Sequence, residues 1–311
     1  RVEENTTLRK KYKNDPEGFR RAERKLEADT GKKLWPANEL CIRHAEGIRS
    51  DHPVLAKLWY FWGNHFTISD TQTLGSYSTG AYQREFLRAN MDKNFETMAT
   101  EATLAWPMIM HLDNKDNIGP KSISGKEEWR RREKEPATIN ENHARELMEL
   151  HTISPDGGYT QEDVIELAKI MTGWRPKWTK RKDHGHDVSF DSERHEPGKK
   201  RVLGKEYKRG KKGIKLAIKD LVNHPSCREF IATKLCRYLI TDEPTPQMIA
   251  PVIKAWKQSD GFLPEVHKAA IKVAFEHTDK YRKFQNPENW WLTTINMSGS
   301  TYSYPTKEKL I

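Results

Sequence analysis

Residues 140–174 read NENHARELMELHTISPDGGYTQEDVIELAKIMTGW, and the way this stretch divides decides the fold: a helix, a ten-residue loop and a second helix. In the first helix Asn142, Arg145, Glu146 and Glu149 fall at i, i+3, i+4 and i+7 and share one polar stripe. Ala144, Leu147 and Leu150 form the opposite stripe, expected to face a core. Thr160 is placed to cap the second helix, with Asp163 three residues on in the position of a capping-box acid. Val164, Leu167, Ala168 and Met171 continue at core spacing, and Gly173 ends the helix.

Outward from that unit, a chain of 311 residues is long enough to bury a sizeable core. Only 35% of residues are hydrophobic, but ten tryptophans and an aromatic fraction of 10% argue for a folded chain. The longest apolar run, Val54 to Trp62, is interrupted by Lys57 and falls short of a membrane span. Cys41, Cys227 and Cys236 lack metal-type spacing and read as small buried hydrophobes. The start at Arg1 leaves a trimmed leader open. The formal charge of +10 is concentrated: residues 175–215 hold fifteen Lys or Arg against six Asp or Glu. Such a basic insertion attracts phosphate, nucleic acid, an acidic polymer or anionic lipid.

The rest of the periodicity is mostly helical, and the fold class expected is mostly α, a compact multi-helix single domain with a short β-ribbon near residues 186–204. Residues 1–48 read as a charged N-terminal helical arm, 49–299 as the main domain and 300–311 as a tail. Asp51, His52 and Pro53 start a helix carrying Leu55, Leu58, Trp59 and Trp62 at core spacing and ending at Asn64 and His65. Ser69 to Ser78 reads as loop, Tyr82 to Asn90 and Phe95 to Ala105 as helices, the latter stopped by Pro107. Asp113, Asn114, Asp116 and Asn117 suit Asx turns, with an oxygen-lined cation site as the sharper alternative. Residues 121–135 read as a charged linker. Val188, Phe190 and Val202 are the ribbon residues, and His184, His186 and His195 form a loose cluster without a fixed third metal ligand, so no metal site is assigned. Helices follow over 214–222, 225–239, 245–256 and 264–276, and a last one from Asn286 and Pro287 to Gly299.

With FWGNHF, MIMHLDN, IGPKS, HEPGKKRVLG, HPSCREFIATKLCRYLITDEPTP and KFQNPENWW in order around the 140–174 block, residues 50–299 resemble the bacterial family called domain of unknown function 1800. The resemblance implies a mostly helical bacterial protein, often exported, without an established reaction. It points to Asn64, His65, Asp113, Asn114, Asn140, Glu141, Asn142, Arg145, Glu146, Glu149, His151, Gly157, Gly158, Tyr159, His195 and Gly198. The chain departs from the family pattern at His111 and His143.

Two functional readings follow. In the first, a hydrolase acts on a glycan or similar polymer: Glu146 and Glu149, one turn apart with Cβ atoms about 5–6 Å from each other, serve as acid and base. Arg145 then sets their charge, and His65 or His151 assists. In the second, a non-catalytic binding or assembly module engages a polyanion through Lys199, Lys200 and the basic residues after them. Nucleic acid is one candidate polyanion, although no recognised nucleic-acid-binding motif accompanies the charge. The absence of a Gly-rich nucleotide loop or a nucleophile elbow argues against kinase, dehydrogenase and α/β-hydrolase chemistry, and no cofactor is assigned.

Overall fold

A computed structural model of the chain describes residues 7–8, 10–29, 34–69, 75–132, 138–177, 188–277 and 283–300. His184 and His186, expected beside His195, lie outside these residues, as does the tail beyond residue 300. Contacts divide the chain into two compact units, Arg1–Pro53 with Pro287–Ile311, and Val54–Asn286. The closing helix therefore groups with the N-terminal helices, rather than with the main domain to which its sequence position had assigned it.

The first unit contains α1 (Pro16–Asp29), α2 (Leu34–Arg49) and the chain's last helix, Pro287–Ser298. That last helix packs on α2, where the rings of His44 and Trp291 lie 4.9 Å apart. Glu288 reaches His44 at 3.6 Å and Arg43 at 3.5 Å, and these two neighbours hold its carboxyl below the ordinary value. Gly299, with φ of 66°, follows the last turn in the left-handed conformation expected of a helix stop.

The second unit is organised around α3 (Pro53–His65), an aromatic helix whose Leu58, Trp59, Phe61 and Trp62 are buried while Leu55 is exposed. Next come α4 (Gly75–Tyr82), a π-helical turn (Gln83–Leu87) and a short 3-10 turn (Arg88–Asn90). Helix thus begins inside the Gly/Ser-rich stretch expected as loop, because Tyr82 and Leu87 bury fully and tertiary packing outweighs weak local propensity. Asn94 caps α5 (Phe95–Leu104) by accepting the Thr97 amide at 3.0 Å. The chain then breaks at Ala105 and restarts as α6 (Trp106–His111), so Pro107 opens a helix as well as preceding residues would end one. Residues 123–132 of the expected linker form α7 (Ile123–Arg132), with the Ser122 hydroxyl accepting the Gly125 amide at 3.1 Å. Residues 133–137 lie outside the described chain.

The 140–174 block folds as α8 (Asn142–Glu146), which passes directly into a π-helical turn (Leu147–His151), then loop, then α9 (Gln161–Met171). Thr160 and Asp163 form the capping box anticipated from their spacing, the Thr160 amide donating to Asp163 at 2.8 Å. In the π turn, hydrogen bonds skip five residues: the Ile153 amide donates to the Met148 carbonyl and the Thr152 hydroxyl to the Leu147 carbonyl. The added residue per turn rotates the helix, so His143, Ala144, Leu147, Met148 and His151 face inward and Leu150 is 48% exposed instead of facing a core. Leu147 and Met148 meet Val164, Leu167 and Ala168 of α9 in one core, each large side chain contributing roughly 1.5–3 kcal/mol by burial.

Strands β1 (Trp174–Pro176) and β2 (Val188–Phe190) pair antiparallel, with Trp174 opposite Phe190. Gly173 makes the entry possible: its φ is 84°, and a Cβ there would sit 2.4 Å from the Asp191 carbonyl oxygen. Strands β3 (Lys200–Val202) and β4 (Lys205–Tyr207) form a separate hairpin through Leu203 and Gly204, both at positive φ as a two-residue hairpin turn requires. The ribbon residues Val188, Phe190 and Val202 are therefore in strands, but each set pairs with a neighbour other than the one expected. The hairpin lies on α9, whose Asp163 carboxylate accepts the Leu203 amide at 2.7 Å. Four helices complete the unit, α10 (Gly213–Val222), α11 (Pro225–Leu239), α12 (Pro246–Ser259) and α13 (Leu263–Glu276), the last three packed on one another. The three cysteines are free and buried, as their composition suggested.

Candidate functional site

The amides of the candidate residues around α8 face the backbone. Asn114, 1% exposed, donates to the carbonyls of Met171 at 3.2 Å and Trp174 at 2.8 Å, closing the C-terminus of α9. Asn117 donates to the Ala168 carbonyl at 2.9 Å and accepts the Asn140 amide at 3.2 Å. Asn140 in turn donates to the Asp113 carbonyl at 3.2 Å and accepts the Asn142 amide at 3.0 Å. Asn142 donates to the Leu112 carbonyl at 3.4 Å. Asp113 holds a left-handed turn, φ 56°, and pairs with Lys115. Together these side chains bracket three chain segments. Each satisfies a backbone group that would otherwise be orphaned at a helix end or loop.

On the outer stripe of α8, Arg145 binds Glu141 at 2.9 Å, Glu149 at 3.1 Å and the Gln161 carbonyl oxygen at 2.7 Å. Gln161 returns a bond from its amide nitrogen to Glu141 at 2.7 Å. The Tyr159 hydroxyl donates to Glu149; partial burial, then that bond, push the phenol up to about 12. Glu146, partly buried beside them, has its carboxyl raised by burial and next by the charge of Glu149. The two glutamates thus differ in surroundings: Glu149 is held by Arg145 and Tyr159, whereas no cation among the described residues is bonded to Glu146.

The candidate histidines are on the other side of the helix, in the core. His65 contacts the His151 carbonyl through Nε2 at 3.1 Å and receives the Lys234 ammonium at Nδ1, 2.8 Å away. This pairing fixes the tautomer: Nε2 carries the proton and Nδ1 the lone pair. Burial drives the His65 and His151 imidazoles down, His151 to about 3, and burial with neighbouring cations holds Lys234 near 8. Asn64, next to His65, is exposed.

A fourth group sits at the hairpin. His195 donates from Nδ1 to the Thr172 carbonyl at 2.9 Å and accepts the Gly210 amide at Nε2, 3.1 Å away. Lys200, 2% exposed, is held by the carbonyls of Glu196 and Gly198 and lies 3.4 Å from the same Nε2. Lys199 pairs with Glu206 at 2.7 Å and Lys205 with Asp220 at 2.6 Å. Close backbone approach supports the knot: Gly119 donates to the Arg194 carbonyl at 2.9 Å, and a Cβ on it would lie 2.6 Å from the Glu196 backbone.

The candidate residues therefore fall into separate groups: the asparagine bracket, the arginine–carboxylate stripe, the buried histidines and the His195–Lys200 knot. No bond or ring contact among the described residues joins Glu146 and Glu149 to His65 or His195. No three of the described His, Cys, Asp and Glu residues are arranged to hold a metal ion, and no described helix is long and apolar enough to cross a membrane.

A family model described as Protein of unknown function (DUF1800) matches residues 3–309. The chain belongs to the DUF1800 family. The match takes in the N-terminal helices and the tail as well as the 50–299 region whose blocks carry the resemblance. No curated protein and no solved structure matches the chain.

Within the basic segment singled out from the sequence of this DUF1800 chain, the cations after Tyr207 stand without acidic neighbours. Between Tyr207 and Asp220 stand Lys208, Arg209, Lys211, Lys212, Lys215 and Lys219 with no acidic residue among them. All six are exposed, and none forms an ion pair among the described residues. Lys212 and Lys215 stand at the N-terminus of α10, where no side chain caps the free amides, and Lys219 continues their face into its last turn. The signal was present in KRGKKGIK as a run without acids, but the paired Lys199 and the buried Lys200 had been weighted equally with it. Gln161 and Lys234 were also missed; isolated in their helices, they carry no sequence signature.

Proposed function

We propose that this domain is a binding module for an extended polyanion, an acidic or phosphate-bearing polymer, which lies along the exposed basic stretch from Lys208 to Lys219. The observation that carries the reading is the contrast in pairing. The lysines just before that stretch, at 199, 200 and 205, are neutralised or buried, while those from 208 to 219 keep their charge in solvent. The N-terminus of α10 adds its partial positive charge at the same place. Inorganic polyphosphate is a suitable probe. If four cations contact phosphate, affinity should fall about fiftyfold between 50 and 200 mM salt, by the slope known for single strands. Affinity that is flat across that range contradicts the reading.

A second reading, acid/base cleavage of a glycan or similar polymer, is favoured by one observation: Glu146 has a raised carboxyl beside a Glu149 that Arg145 holds. It predicts turnover of a polymeric substrate that Glu149→Gln abolishes with thermal stability kept. Turnover equal to that of the wild type in this variant excludes it.

A further inference from the structure

The inward face of α8 and its π turn carries His143 at one end and His151 at the other, 1% and 4% exposed. Both ring nitrogens of His143 and Nδ1 of His151 are buried without a hydrogen-bond partner. Buried polar atoms are nearly always bonded, so three such atoms on one helix face call for an account. The groups facing them come from three other elements. His111 ends α6 and acts on both rings; Lys234 of α11 acts on His151 and bonds His65; His65 ends α3 with its ring 6.0 Å from that of His151. The remaining neighbours are rings, with Phe66 at 5.0 Å from His151 and Phe61, Phe95 and Phe230 around His65. One carboxylate acts on the cluster, Asp113 beside His111, and it is already paired with Lys115.

We propose that this imidazole cluster is an acid-operated latch on the α8 segment. Neutral rings seal the segment against the aromatic core; protons taken up by His143 and His151 break the seal and release Asn142–His151 ahead of the remaining helices. A proton arriving at His151 places a cation beside aromatic rings and facing the Lys234 ammonium, and one arriving at His143 places a cation facing His151 and His111, with no free carboxylate among the described residues acting on either ring. Water must then enter, and the segment is displaced outward to admit it. The sign follows from the direction of the shifts. Both imidazoles titrate near 3 in the closed form and at the ordinary 6.5 when released. The closed form is fully favoured above 6.5 and loses ground as pH falls below it, about tenfold per histidine per pH unit.

Hydrogen–deuterium exchange of the full chain at pH 7, 6 and 5, corrected for intrinsic rates, tests the latch. Protection of the peptide spanning 142–151 should fall by about 10³ between pH 7 and 5, two histidines each contributing about thirtyfold. Helix α10, which contains no histidine, should remain better protected than that peptide at each pH, whatever it loses along with global stability. The double variant His143→Phe, His151→Phe should keep the 142–151 peptide protected at pH 5. Lys234→Met provides a second arm should that variant fold poorly: without the ammonium facing His151, release should shift to lower pH. Wild-type protection unchanged to pH 5, protection of 142–151 equal to that of α10 at pH 5, or Lys234→Met releasing at the wild-type pH would each overturn the proposal.

Discussion

Asn114, Asn117, Asn140 and Asn142 direct their amides at backbone groups as far as sixty residues away in sequence, whereas Lys208, Lys211, Lys212 and Lys215 hold ammonium groups that reach no carboxylate. Asn140 and Asn142 lie in the block that most strongly marks the family, Asn114 and Asn117 in and beside an earlier one, and the lysines outside the blocks that carry the resemblance. The difference separates two uses of polar residues. Buried amides that satisfy backbone groups define where three segments meet, and their removal leaves unpaired partners inside the fold. Exposed cations without partners add little to stability and keep their charge available to a ligand. By this comparison the asparagines serve mainly as architecture, and ligand contact is proposed for the basic stretch.

Perturbations of the interior should therefore change stability and leave binding intact, while those of the basic face should do the reverse. Acid is expected to have the largest effect. At pH 5 the unfolded chain binds protons that His143 and His151 refuse in the fold, so stability falls by about 4 kcal/mol from these two alone. Urea unfolding at pH 7, 6 and 5 measures it, with an unchanged midpoint as the contrary result. Next comes Asn114→Ala, which strips the carbonyls of Met171 and Trp174 of their donor and leaves the Asn117 amide short of an acceptor. A loss of about 3 kcal/mol is expected by chemical denaturation, with polyphosphate affinity at low temperature unaltered. Lys200→Met should cost about 1–2 kcal/mol, since it empties the carbonyl cradle of Glu196 and Gly198 without changing the exposed charge pattern. A drop in polyphosphate affinity in this variant would move the binding face toward the hairpin. The smallest effect is expected from Arg145→Ala. Its ion pairs with Glu141 and Glu149 are about a third exposed and contribute less than about 1 kcal/mol. A loss above 3 kcal/mol would show that the outer stripe is structural in the same sense as the asparagines.

Local chemistry in the sequence anticipated the capping box at Thr160 and Asp163, the stop at Gly173, the start at Pro53 and the closing helix from Pro287. Each depends on residues within a few positions of one another. The π turn at 147–151 was not legible, because a five-residue hydrogen-bond step leaves no mark on residue type, and Leu150 was turned to solvent as a result. The asparagine bracket was read as a ligand pocket for a related reason: the same amides serve either purpose, and only the distant carbonyls decide between them. Charge on Lys199 and Lys200 was legible, but not their partners, which lie across the hairpin and under it. His151 was expected to assist catalysis and His143 to be a departure from the family pattern; only folding brought His111 to both and His65 and Lys234 to His151.

The most direct test of the division between architecture and binding is the polyphosphate affinity of the variant Lys208→Glu, Lys211→Glu, Lys212→Glu, Lys215→Glu, measured at 50 mM salt beside the wild type. The account predicts a loss of at least a hundredfold with the unfolding midpoint unchanged, the four sites being exposed and unpaired. Wild-type affinity in a folded variant would contradict it.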